Sequence, residues 1–556
     1  MVYLTRKVKK GKTYLYLEEK ARIDGTVRRT WQIYLGPEDA LHDLSISGLL
    51  SKRSHSVEIT TMGFGISAAL WQIVEKIDLP GIIDGICPKK RDQGLSLGEY
   101  ITIAAINRCV APVSKSRLAN WYRKDWLSTR FNLNPDVLNA QTYWNHFQYL
   151  DRDSIDKIEL AINKVVLDKF NLELDNILFD PTNFYTFSRG NEEGELLKFG
   201  HSKEGRNNLR LVNYSLLCTR DSGIPLMHET YPGNSQDAGQ FKTVPERIAN
   251  RLAALGRETG DLTIIFDKGN HSPEAFDMID KHGLKFIASA RNSMFKDMLH
   301  VPREDLVKIE LPFSGKTVEY KRFKRKVFGC QRTTYVVLDP AKQKKHAFLF
   351  KIKIDKTVQE IKEYFKDRLN AKKWSKRDAV EKKLKSMIGK NPMSSVIRAK
   401  VTGPDGAMSL AVSVDEEARQ RHEETLGRSI IFTNQDEWEP RVVIWSYREQ
   451  YIVEHAFKHM KCPTSIAVRP MYHHADACIR AHVFTCVLAL LLLALLRLEI
   501  SFKGVSVTYP EMLDQLGSIN LNLISTQAGK EPVKKMEKIT GPAARLARVL
   551  GLKKMM

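Results

Sequence analysis

The runs Asn176-Ile177-Leu178-Phe179-Asp180 and Leu262-Thr263-Ile264-Ile265-Phe266-Asp267 share one design: an apolar segment of strand length whose last residue is a carboxylate. A charge beside buried apolar residues is costly, so such an aspartate usually keeps a cation or a metal next to it. An aspartate that caps the following turn would have the same sequence context, because Asp180-Pro181-Thr182 and Asp267-Lys268-Gly269-Asn270 both have turn composition. Around these two runs lie further β-rich stretches, LRLVNYSLLCT, IPLMHETYPG and KFIASA, and helical patterns at 244–255 and 273–282. Strands interleaved with helices from 176 to 289 predict an α/β sheet.

Outward from that sheet the texture changes several times. Residues 1–60 begin with alternating YLYL and WQIYL, broken at Lys10-Gly11 and Asp24-Gly25, which predicts a small antiparallel β meander. Residues 61–170 carry apolar positions at helical spacing, with Lys115, Arg117, Arg123 and Lys124 among them. The sheet region occupies 171–292. Residues 293–440 are very basic, with runs at Lys321–Lys326 and Lys372–Arg377, and they read as a β-containing insertion. Helical sequence returns at 441–500, and 501–556 form a basic tail. The apolar stretch 483–496 is short of the ~20 residues that span a bilayer, so a buried core helix is expected.

The chain has 556 residues, 43% of them hydrophobic and 27% charged, with a formal net charge of +22. That composition excludes a stapled mini-scaffold, wholesale disorder and a multi-span membrane protein. The surplus of cations predicts a polyanionic partner, nucleic acid foremost. Seven scattered cysteines without a CxxC pair, and a start without a secretory signal, predict a reducing cytoplasmic compartment.

A third carboxylate comes from YREQYIVEHAFKHMK. Read as one helix, Tyr447, Tyr451, Glu454, Lys458 and Lys461 fall within ~80° of arc, while Ile452, Ala456 and Met460 form a separate stripe for the core. A solvated face with charge pairing is the plain alternative. Two strand-end aspartates and a helix glutamate together make the oxygen set that two Mg²⁺ ions need, with Mn²⁺ able to substitute. Such a pair of ions, with a basic surface, suits phosphoryl transfer on a nucleic acid backbone.

These segments resemble the DDE transposases of bacterial insertion sequences, in the group whose motif is tyrosine, two residues, arginine, three residues, glutamate, six residues, lysine. Tyr447, Glu454 and Lys461 fit that spacing, and Gln450 stands where the arginine is expected. FDPTNFYTF, FGHSKEGRNNLRLVNYSLL, GIPLMHETYPGNSQD, IIFDKGNHS and IAVRPMYHHADACIRAHVFTCVLALLLLALL extend the likeness over about 300 residues.

The resemblance implies a ribonuclease H-like catalytic domain interrupted by the insertion. Asp180 would lie on the first strand, Asp267 on a neighbouring one and Glu454 on a following helix. Those three would be catalytic and hold the metals, while Tyr447, Gln450, Lys461, Lys203 and Arg206 would contact DNA. It also implies cleavage at transposon ends and strand transfer into target DNA, a homodimer bridging the ends, and a cytoplasmic, nucleoid-associated protein of bacterial or archaeal origin. The region 61–170 would bind the DNA ends, and helix 483–496 or the tail could serve dimerisation. A structure-selective nuclease of the same fold and a catalytically inactive DNA-binding derivative remain the alternatives.

Two other patterns are set aside. His474, Cys478, His482 and Cys486 recur every four residues, but on one helix the outer two stand ~18 Å apart and cannot share one zinc. No phosphate-binding glycine loop is present, so no nucleotide cofactor is expected. Trp374 and Trp438 read as packing residues.

Overall fold

The computed structural model describes residues 2–23, 25–39, 58–88, 94–131, 133–188, 194–525 and 531–556. The expected meander is an antiparallel sheet of β1 (Val2–Lys9), β2 (Lys12–Ile23) and β3 (Thr26–Pro37), with Gly11 at φ +75° in the first hairpin turn. Next comes β4 (Glu58–Gly63), followed by helices Gly65–Ile77, Leu79–Ile86, Leu97–Val110 and Arg152–Lys169. Ser96 and Glu99 form a reciprocal capping box at the start of Leu97–Val110.

The central sheet has ten strands. They are β5 (Asn176–Thr186), β6 (Lys198–Phe199), β7 (Arg210–Thr219), β8 (Pro225–Pro232), β9 (Thr263–Phe266), β10 (Lys285–Ser289), β11 (Val307–Glu310), β12 (Thr317–Val327), β13 (Cys330–Leu338) and, after β14 (Ile397–Thr402) and β15 (Ser409–Val414), β16 (Arg428–Thr433). The order is β11-β12-β13-β16-β10-β9-β5-β7-β6, with β8 also pairing β7. At its centre β5, β9 and β10 run parallel, while β7 and β8 are antiparallel to their neighbours. This is a mixed α/β fold, as the alternation of patterns predicts.

Successive residues of a strand face opposite sides, and the two sides of this sheet have separate cores. Ile177 and Phe179 pack with Ile264 and Phe266 under helices Val244–Ala254 and Pro273–Lys281. Leu178, Phe184 and Ile265 point the other way, into a large core shared with the N-terminal helices and with helix Asp476–Phe502. That helix contains 483–496 and is buried as expected, with 83% of its most apolar window inside the protein. It packs on Leu97–Val110 and Gly65–Ile77. Its apolar face is therefore consumed within the chain, which corrects its expected availability for dimerisation.

Three expected boundaries fall differently. β11–β13 and β16 lie inside 293–440 yet extend the central sheet, because β13 and β10 both pair with β16. What packs apart is the stretch between β13 and β16: helices Pro340–Phe365 and Arg377–Ile388, β14, β15 and helix Glu416–Thr425, on two small cores of their own. Trp374 belongs there, edge-on to Tyr364 and Phe365. The tail folds back: β17 (Asn520–Ser525) sits between β18 (Val533–Met536) and β4, and Leu516, Leu521, Leu546 and Leu552 are buried in the large core.

Candidate active site

Asp180 and Asp267 stand side by side, and the register shows why. β5 and β9 pair in parallel through Phe179 and Phe266, so the next residue on each strand is an aspartate, at the point where this ladder stops. Both share the face of Leu178 and Ile265, opposite Phe179 and Phe266. Asp180 does not end its strand. The expected turn at Asp180-Pro181-Thr182 is corrected, since β5 continues to Thr186, paired with β7 throughout. Pro181 lies beyond the last β9 partner, where that edge has no ladder bond to lose. After Asp267 the chain does turn, through Lys268–Asn270, but the Asp267 side chain makes no capping bond to it.

The Asp267 carboxylate is instead held by two hydroxyls, Ser289 Oγ at 2.5 Å and Tyr447 Oη at 3.2 Å. Burial opposes its charge, but Ser289, the backbone and charge of Lys268, and Tyr447 outweigh that and hold its carboxyl below the usual range. Asp180 is the opposite case. Burial pushes its carboxyl up to about 7 against the pull of Lys203, and the charges of Asp267, Glu454 and Asp237 push the same way. Glu454 therefore lies within electrostatic reach of Asp180.

Glu454 sits on helix Tyr451–Lys461, which covers β5 with Val453, Ala456, Phe457 and Met460 buried beneath it. The expectation of one helix from Tyr447 to Lys461 is corrected: Tyr447 ends a separate helix, Pro440–Arg448. The link Glu449-Gln450 keeps right-handed dihedrals but tightens, with Gln450 N and Ile452 N bonding three residues back to Tyr447 and Glu449. Glu449 is anchored by Arg220 at 3.1 Å, just beyond β7. The break lets Tyr447 reach Asp267 while Lys461 reaches Thr182, two residues past Asp180 on β5, where its Nζ donates to Thr182 Oγ1 at 2.8 Å and lies 3.6 Å from Glu204. Burial draws the Lys461 ammonium down to about 8, against the pull of Glu204.

The other expected DNA contacts divide. Asn183 clamps the loop after β6, accepting from Lys203 N and donating to the His201 carbonyl. This brings Lys203 Nζ to the Pro181 carbonyl at 2.6 Å and Asp237 at 3.1 Å. Gly200 packs directly on the Gly233 backbone and Gly233 on that of Leu211, where a Cβ would meet a carbonyl oxygen at 2.2 and 2.1 Å. Arg206, in the same loop, is exposed. Gln450 is half-buried, and its Nε2 finds no hydrogen-bond partner. Arg448, its cationic neighbour, is spent on Asp339 at 2.8 Å.

Sequence reading missed Ser289, although KFIAS follows the same rule of an apolar run ending in a polar residue. β10 pairs β9 through Ala288 and Phe266, which sets Ser289 beside Asp267. It also missed Thr182 and Glu204, whose roles depend on strand continuation and loop folding.

As arranged, no three His, Cys, Asp or Glu side chains among the described residues are gathered closely enough to cage a metal ion. The donor set is nevertheless of the oxygen type that a hard divalent cation takes, and Asp180 is kept from ionising first by burial and then by the charges of Asp267 and Glu454, against the pull of Lys203. Carboxylates that share a small site in this way have a surplus of negative charge that a cation relieves.

A half-buried carboxylate pair where the β5–β9 ladder stops, faced by a carboxylate-bearing helix on a strongly basic protein, is an arrangement suited to phosphoryl transfer. Residues 173–492 match the family model of the transposase DDE domain. The chain belongs to that family, whose members are DNA-cleaving enzymes of transposition and recombination and generally use divalent metals. No curated protein matches the chain. Among solved structures it is similar to a piggyBac transposase in a synaptic complex with hairpin DNA, at 8% identity and TM-score 0.36, over 81% of this chain and 78% of that one.

Proposed function

We propose that the protein is a Mg²⁺-dependent transposase, in the group with the Tyr-x2-Arg-x3-Glu-x6-Lys motif, that cuts the 3′ ends of its own element and joins the freed 3′-hydroxyls to target DNA. The observation that carries this reading is the adjacency of Asp180 and Asp267 at the end of the β5–β9 ladder with Glu454 in electrostatic reach. The strand order β8-β7-β5-β9-β10, antiparallel on one side of β5 and parallel on the other, supports a ribonuclease H-like catalytic domain.

Asp180, Asp267 and Glu454 would hold the ions, with Mn²⁺ substituting. When bound, these supply a Lewis acid at the phosphate and an activated water or 3′-hydroxyl. Ser289 and Tyr447 fix the Asp267 carboxylate in its ionised form. Lys461 and Lys203 place cations on either side of Thr182 and Pro181, positioned to orient backbone phosphate. Arg206 and the basic insertion add exposed charge, and a homodimer would bridge the two ends. Domain roles follow: 61–170 binds ends, and the central sheet with helix Tyr451–Lys461 is catalytic.

A second reading, an inactive DNA-binding derivative, is favoured by Gln450, whose buried amide offers no cation to DNA. The deciding test incubates the purified protein with Mg²⁺ and a labelled fragment bearing the flanking terminal inverted repeat. Cleavage at the boundary with joined product, lost in Asp267→Asn, supports the transposase. Cutting without joining indicates a nuclease, and specific binding without cutting indicates the derivative.

A further inference from the structure

A groove of about 1180 Å³ opens between the segment after helix Leu97–Val110, helix Ala140–Phe147 and the stretch leading into helix Asp476–Phe502. Its lining includes Arg108, Lys115, Arg117 and Arg469, and contains no aspartate or glutamate. Two contacts join it to the site. Thr186, the last residue of β5, donates its hydroxyl to the Met471 carbonyl at 2.7 Å, and Arg469 shares Glu204 with Lys461, at 2.5 and 3.6 Å.

Lys115 makes this a built site. It is 8% exposed, its Nζ makes no ion pair or hydrogen bond among the described residues, and it lies over the rings of Tyr143 and Phe147, each 5.6 Å away. Arg108 beside it is 6% exposed, gives two nitrogens to the carbonyls of Ala467 and Val113, and leaves Nε unpartnered. Burying two cations together without a carboxylate is unfavourable, and cation–π contact offsets only part of that cost. Burial, with Arg108 adding to it, accordingly draws the Lys115 ammonium down to about 7. A purely structural side chain here would be methionine or leucine, so the charge points to an anionic ligand that completes the site.

The size and the rim narrow its chemistry. The volume exceeds the ~300–1,000 Å³ of small-molecule pockets. Two exposed rings, Trp144 and Tyr472, stand on the rim beside exposed Arg117. Cations for phosphates with flat rings for bases is the pairing that single-stranded nucleic acid uses.

We propose that this groove binds an unpaired stretch of the DNA strand that continues from the carboxylate site, with Lys115 and Arg117 on its phosphates and Trp144 and Tyr472 stacked on its bases. The inference rests on the transposase reading for its ligand but not on catalysis for its test.

The test titrates the full-length protein, in EDTA, with a fluorescently labelled single-stranded 12-mer of mixed sequence, followed by anisotropy. Lys115→Met is expected to weaken binding about tenfold and to lower the slope of log affinity on log salt by ~1. Its melting temperature should match or exceed that of the wild type. Trp144→Ala, at an exposed position, is expected to weaken binding about tenfold with an unchanged melt. Unchanged affinity in both variants overturns the proposal. So does inorganic phosphate occupying the Lys115 site without displacing the oligonucleotide, which would make it a small-anion pocket. Asp267→Asn should retain oligonucleotide binding, so loss of cleavage and loss of groove binding are read separately.

Discussion

At the residue scale the site is defined by two aspartates one strand apart with opposite proton affinities. Hydroxyls and Lys268 keep Asp267 ionised, whereas burial among like charges pushes Asp180 up to about 7. Asp180 therefore binds a proton more tightly when folded than its usual value of about 3.8 allows. Between those two pH values the native state holds more protons than the unfolded one, so stability falls as pH rises through the window. Asp180→Asn should remove that fall: melting in EDTA at pH 5 and pH 8 should show the variant gaining on the wild type by a few kcal/mol at the higher pH. Divalent metal competes with the same proton, so the Mg²⁺-induced rise in wild-type melting temperature should grow from pH 6 to pH 8 and be absent in Asp180→Asn. Tyr447→Phe removes one of two hydroxyls on Asp267 and should lower cleavage roughly 10–100-fold with little change in melting, as measured by single-turnover assay.

At the element scale the decisive features are the premature stop of β9 and the broken helix over the sheet. β9 is four residues long, all buried, and ends where β5 continues for seven more. The step leaves an open shelf on which Asp180, Asp267 and Ser289 line up across three strands. The stop at Arg448 sends Tyr447 to one end of that shelf and Lys461 to the other. Helix Asp476–Phe502 packs in the core on the same side of the sheet: His482 Nε2 donates to the Val468 carbonyl at 2.9 Å, and Leu492 is fully buried. Leu492→Ala should cost ~2–5 kcal/mol, seen as a lowered denaturant midpoint, and should not alter membrane partitioning. An unchanged midpoint would contradict the burial.

At the scale of the whole molecule, a net charge of +22 surrounds a site whose own groups are mostly acidic. In the proposed function, long-range attraction of DNA is thus separated from the chemistry, which would need a metal to bring phosphate onto carboxylates. Affinity for the inverted-repeat duplex should fall steeply with salt, on the order of a thousandfold between 50 and 200 mM if some six phosphates are contacted. With separate fragments that each bear one end, sedimentation should give a complex of two protein chains and two fragments if the proposed dimer bridges the ends, and one chain per fragment if it does not.

The chain's local pattern by itself determined what elements exist and which residues are chemically conspicuous. Apolar runs of strand length ending in Asp180 and Asp267 are visible because burial and charge conflict within a few neighbouring residues. The 483–496 helix is visible because its apolarity exceeds what any exposed helix carries. Spacing placed Glu454, Ala456 and Met460 on their proper faces because helical periodicity is local. Only the tertiary structure decided how far β5 extends past Asp180, since its later residues are held by β7 and not by their own propensity. The break at Glu449-Gln450 depends on Arg220, more than two hundred residues away in sequence. The extension of the sheet by β11–β13 and β16 depends on strands brought together across a separately packed segment. The pairing of β4 with β17 joins opposite ends of the chain. Such contacts are selected by packing free energy summed over the whole fold, which no window of sequence contains.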